Sequence, residues 1–122
     1  MKHLCLVYFE GSRLDALSLA EKAQLDRDSL AYDEALRQSG HFIHAEALQS
    51  PSAARVVKRR RGQAIVTDGP FADTKEQLGG FILLETPTLD AAVELAAGIP
   101  LAGLGRIEVR PTYDIPIPDL PT

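Results

Sequence analysis

Residues 66–85 read Val66-Thr67-Asp68-Gly69-Pro70-Phe71-Ala72-Asp73-Thr74-Lys75-Glu76-Gln77-Leu78-Gly79-Gly80-Phe81-Ile82-Leu83-Leu84-Glu85. The first two residues end a short β-branched run, Gln63–Thr67, that has strand character. Asp68-Gly69-Pro70 is a strong turn signal, because Gly admits backbone angles closed to other residues and Pro presets its own. Gly80–Glu85 is short, apolar and bounded, as a buried strand should be. The stretch therefore predicts strand, loop, strand.

Working outward towards the N-terminus, Ala54–Arg61 forms a further strand that turns at Gly62, and Pro51-Ser52 breaks the chain before it. His41–Gln49 is predicted as a strand with two unlike faces: Ile43, Ala45 and Ala47 suit packing under helices, while Phe42, His44, Glu46 and Leu48 point the other way. Ser18-Leu19-Ala20-Glu21 fits a capping box and opens a long helix to about Gln38, closed by Gly40. Leu25, Tyr32 and Leu36 share its apolar face; Asp26, Arg27, Asp33, Glu34 and Arg37 fall largely on the other side. The apolar run His3–Phe9 is the first strand. Towards the C-terminus, Thr88 caps a second helix whose face is read as Leu89, Val93 and Ala96, closed by Gly98 and Pro100. Arg106–Arg110 is the last strand.

The order is β-α-β-β-β-β-α-β: an α+β chain with a ferredoxin-like core and an added hairpin, the helices lying on one sheet face. Residues 1–111 form the domain. Residues 112–122 are a proline-rich tail, extended rather than helical. The second sheet face has no element left to cover it, so a homodimer with facing sheets is expected.

The totals exclude more than they identify. At 122 residues and 45% hydrophobic, the chain can build one core without staples. A net charge of −4 argues against a dedicated nucleic-acid binder. Lys58-Arg59-Arg60-Arg61 lacks aromatic neighbours for base stacking and reads as a solvated hairpin. The one cysteine, Cys5, sits in an apolar run and reads as a small buried hydrophobe. No apolar stretch approaches the roughly 20 residues of a membrane helix, and the N-terminus does not look like a signal peptide, so a cytoplasmic location is expected. Three histidines and one cysteine without ligand spacing indicate no metal, and no phosphate- or dinucleotide-binding motif indicates a cofactor.

The segment 66–81 resembles the signature of the DGPF, or YCII-related, family. Asp68-Gly69-Pro70-Phe71 matches its naming motif, followed by Thr74-Lys75-Glu76 and Gly79-Gly80-Phe81. Gly40-His41, His44–Gln49, Ile99-Pro100 and Ile107–Pro111 extend the likeness over roughly residues 3–111. Asp73 departs from it, standing where the family usually has Glu. The resemblance implies a dimeric α/β-barrel of ferredoxin-like chains. It also implies either acid–base chemistry of lyase or isomerase type on a small cyclic compound, or an accessory role beside a bacterial extracytoplasmic-function sigma factor.

Five residues are the site candidates. His44 carries the side chain most often used for acid–base work and shares a strand face with Glu46, which could orient it; alternatively it is a hydrogen-bonded histidine at a dimer interface. Asp68 could be a general base, or could cap its turn through its own backbone. Lys75 could hold an anionic substrate, or pair in solvent with Glu76. Phe71 is expected to wall the site and to anchor the loop by burying its ring.

Overall fold

The computed structural model describes residues 1–118. The expected order is borne out, with one short helix added. Strand β1 is Lys2–Phe9, helix α1 is Gly11–Asp15, helix α2 is Leu19–Gln38 and strand β2 is Phe42–Ala47. Strands β3, Arg55–Arg60, and β4, Gln63–Asp68, precede β5, Gln77–Glu85. Helix α3, Leu89–Ala97, and strand β6, Gly105–Pro111, complete the fold. After the last pairing of β6, residues 112–118 follow no regular element; the rest of the expected tail lies outside the described residues.

Four strands form an antiparallel sheet in the order β2-β5-β1-β6. This is the ferredoxin-like α+β arrangement. Helix α2 begins where expected: the Ser18 hydroxyl accepts from the Glu21 N–H at 3.1 Å, and the Glu21 carboxylate accepts from the Ser18 N–H at 3.0 Å. It ends at Gly40, whose φ is +81°.

The core lies between the sheet and the helices. Cys5, Ile82 and Leu84 supply the sheet side, and Leu36, Ala96 and Ile99 the helical side. Two expected faces are corrected. In α3 the buried residues are Ala92 and Ala96, while Leu89 and Val93 are exposed. Small side chains let the helix approach the sheet closely, and pattern by hydrophobicity alone selects the larger neighbours. In β2 a bulge between Phe42 and His44 breaks the alternation. Phe42 turns to the core, where the Arg37 guanidinium lies 4.2 Å from its ring centre, and Ile43 is exposed. Beyond the bulge the expected faces hold: Ala45 pairs with buried Ile82, Glu46 with Phe81 and His44 with Leu83.

The sheet face away from the helices is apolar along its centre. Leu4, Leu6 and Tyr8 of β1 stand beside Leu78, Phe81 and Leu83 of β5, by their pairing. No described element lies across it. The hairpin β3–β4 does not join this sheet; it forms a separate two-stranded sheet. Its two strands pack on each other and make no substantial contact with any other element.

Candidate functional site

The open face gathers the polar candidates at one border. The bulge at Ile43 sets His44 and Glu46 on this face, with Leu48 next in the row. His44 Nε2 is 3.9 Å from a Glu46 carboxylate oxygen, within ion-pair reach but longer than a hydrogen bond, and both side chains are exposed. The His44 ring is tilted against Phe81 at a centroid distance of 6.0 Å. An exposed imidazole near a carboxylate and an aromatic ring, at the edge of an apolar surface, is placed where proton exchange with a bound molecule is chemically open to it.

Asp68 lies elsewhere, at the foot of the hairpin. Its carboxylate faces the Arg55 side chain at 3.1 Å and remains 87% exposed. Among the described residues the Asp68 carboxylate accepts no hydrogen bond from its own turn, so the turn-cap reading is corrected. The turn is held instead by Gly69, at φ +90°, whose N–H donates to the Ala54 carbonyl at 2.9 Å.

The loop after Pro70 is organised by a residue that sequence reasoning missed. The Gln77 amide donates to the carbonyls of Ala72 at 2.7 Å and Thr74 at 2.9 Å. The Thr74 hydroxyl donates to the Glu76 carbonyl at 2.7 Å. Nothing short of the folded loop marks Gln77 in the sequence, since a lone glutamine carries no spacing signal. Glu76 pairs with Arg106 of β6 at 3.4 Å and not with Lys75. Lys75 is exposed and enters no ion pair among the described residues. The expected burial of Phe71 is also corrected: its ring is 91% exposed.

Two concavities flank these residues. One, of about 710 Å³, lies at the hairpin root and is walled by Pro70, Phe71, Thr74 and Glu76 of the loop against Tyr8, Leu48 and Leu78. The His44–Glu46–Leu48 row runs into it. The other, of about 440 Å³, lies between α2 and the sheet, over Ala45, Ala47, Gly79 and Gly80. Asp33 faces it, half-buried, and burial raises its carboxyl above the usual range while Arg37 pulls it back. Neither His44 nor Asp68 lines either concavity, and a single chain does not bring the two together in one.

The glycine pair beside these cavities serves two ends. Gly79 is the extra residue of a bulge, since Val7 pairs with Gly80 and Tyr8 with Leu78. Gly80 admits the backbone of β2; a methyl group there would stand 2.8 Å from the Glu46 carbonyl oxygen.

His3, which the sequence left as an ordinary strand residue, is fully buried. The Thr86 hydroxyl donates to the Thr88 carbonyl at 2.9 Å and so accepts from His3 Nδ1 at 2.8 Å. Nε2 of His3 has no hydrogen-bond partner among the described residues. This network joins β1 to the start of α3 and is structural.

The model of the YCII-related domain matches residues 1–116 of this sequence. The chain belongs to the YCII-related family. This YCII-related chain is also 35% identical over 113 residues to an uncharacterised protein of Rhizobium meliloti (strain 1021), covering 91% of each. Among the described residues no group of three or more metal-ligating side chains gathers. No described helix is long and apolar enough to cross a membrane.

Proposed function

We propose that this YCII-related protein is a homodimer that binds a small cyclic or anionic molecule at its open sheet face and acts on it by proton transfer. The observation that supports this reading most is the hairpin-root concavity. Its volume, about 710 Å³, falls in the range of small-molecule sites, and the motif loop itself forms one wall. Its lining is largely apolar, with Phe71 and Tyr8 offering ring faces. His44, oriented by Glu46, is the proton-transfer residue. Lys75 and Asp68 stand in the same loop and hairpin foot, where Lys75 offsets negative charge and Asp68 serves as the second proton carrier. No cofactor is needed for such a step.

The test is a thermal-shift screen with ring compounds carrying a carboxylate or phenolate, since a ligand of the native state raises Tm by mass action. A hit whose shift is lost in Phe71→Ala supports the site. For a compound that is turned over, His44→Ala should abolish turnover while leaving binding. Shifts that survive Phe71→Ala unchanged, or the absence of any shift across the panel, contradict the reading.

A further inference from the structure

Helix α2 covers less of the sheet than its length allows. Of its 20 residues only Leu36, near the C-terminal end, is buried. Ahead of Leu36 the helix spans the concavity of about 440 Å³ that it forms with the sheet, a volume in the range of small-molecule sites. The floor there is small by necessity. Ala45 and Ala47 of β2 lie beside Gly79 and Gly80 of β5. A methyl group on Gly79 would run into the Phe9 ring, as one on Gly80 would meet the Glu46 carbonyl. Neighbours within the sheet therefore keep the floor low. The helix does not fill the gap from above either, and Leu30 at its rim is 70% exposed.

The charge of the lining has one sign. The charged residues there are Asp26, Asp33 and Glu46, and no Lys, Arg or His joins them. Asp26, Leu30 and Asp33 are spaced by four and three residues, so α2 presents them along one face. The Asp33 carboxylate is half-buried and accepts no hydrogen bond among the described residues. Arg37, one turn on, is already engaged, with the Glu34 carboxylate at 3.2 Å and with the Phe42 ring. The Tyr32 hydroxyl is committed as well: it donates to the Leu95 carbonyl at 2.5 Å, which holds the ring as a wall. A carboxylate partly out of water, with no cation set against it and empty apolar volume beside it, suits a cation with an apolar body.

We infer that this concavity is a second ligand site, which takes an organic amine: the apolar body rests on the alanine and glycine floor, and the ammonium group pairs with Asp33. Every residue of the site comes from one chain and lies on the helix side of the sheet. The inference is therefore independent of the dimer and of the hairpin-root site, where Lys75 favours a ligand of the opposite charge.

Two probes that share one ring separate charge from apolar burial: benzylamine and benzyl alcohol, titrated into the full chain by calorimetry near neutral pH. Benzylamine should bind, and benzyl alcohol should bind more weakly by about tenfold or more. Asp33→Asn keeps the shape of the side chain and removes its charge. It should weaken benzylamine by about tenfold or more and leave benzyl alcohol unchanged. Ala47→Leu, at an exposed position of the floor, should fill the concavity and weaken both probes. Phe71→Ala, at the other site, should alter neither. Circular dichroism confirms that each variant is folded, and Asp33→Asn alone decides if Ala47→Leu is not. No benzylamine binding to the native chain overturns the inference, as does binding that survives Asp33→Asn or a folded Ala47→Leu. An alcohol as tight as the amine also overturns it, since the carboxylate then recognises nothing. Benzylamine binding that is lost in Phe71→Ala and kept in Asp33→Asn places the amine at the hairpin root and overturns the second site. None of these failures touches the ring-carboxylate screen, which reads the hairpin-root site by itself.

Discussion

Cys5 lies beneath the helices, and burial pushes its thiol up to about 11. At pH 8 the native protein should therefore not react with a disulfide reagent, whereas the urea-unfolded chain should react at once; rapid labelling of native protein would show that the core opens at β1. Asp33 offers a test of opposite character. Its folded pKa is raised, so the protonated form is the one the fold favours. The stability this confers is fully present below the unfolded value and is lost as pH rises through the higher folded value. Asp33→Asn removes that loss. Urea denaturation should show the variant gaining on the native chain as pH rises from below the ordinary aspartate range to above it; a parallel pH dependence would mean the carboxyl is fully hydrated. Phe71 is the residue whose surroundings the sequence least revealed. An aromatic after Gly-Pro suggests an anchor, but the side to which a loop turns its ring depends on how the whole loop is tied, here by the Gln77 amide on the carbonyls of Ala72 and Thr74. Because the ring is exposed, Phe71→Ala should change the stability of the dilute single chain by no more than about 0.5 kcal/mol. A loss of several kcal/mol would mean the loop packs inward.

Elements were legible where local chemistry decides them. Helix α2 could be read end to end because Ser18, Glu21 and Gly40 are local stop and start signals, and its cap is testable: Ser18→Ala should cost about 1 kcal/mol, measured by chemical denaturation. Strand existence was legible as well, from apolar runs between Gly and Pro. Facing was not, wherever a partner element sets it. Ala92 and Ala96 win the core side of α3 over Leu89 and Val93 because the helix must lie close to the sheet. The bulge after Phe42 is an agreement between β2 and β5 that neither strand carries alone. Gly80 belongs to the far end of the same pairing, opposite Ala47. Gly80→Ala sets a methyl group against the Glu46 carbonyl, and should cost about 1–3 kcal/mol and loosen the row carrying His44. A neutral substitution would show that β2 can shift away freely.

For the whole molecule, the sequence showed a sheet with helices for one face only, and the structure leaves the other face bare. The sequence offered both His44 and Asp68 as site candidates, but one chain does not bring them together, the first standing on the open face with Glu46 and the second at the hairpin foot with Arg55. In the dimer proposed above it is a second copy that would bring them into one site, and intermolecular geometry leaves no periodicity to read. The uncovered apolar face is the seat proposed for that second copy. Light scattering on the native chain and on Leu6→Lys at micromolar concentration tests this most directly. The native protein should have twice the mass of 13.2 kDa and Leu6→Lys the single mass, with the circular dichroism of both alike. A native monomer, or a Leu6→Lys dimer as tight as the native one, would contradict the open face as the seat of assembly and of the site built on it.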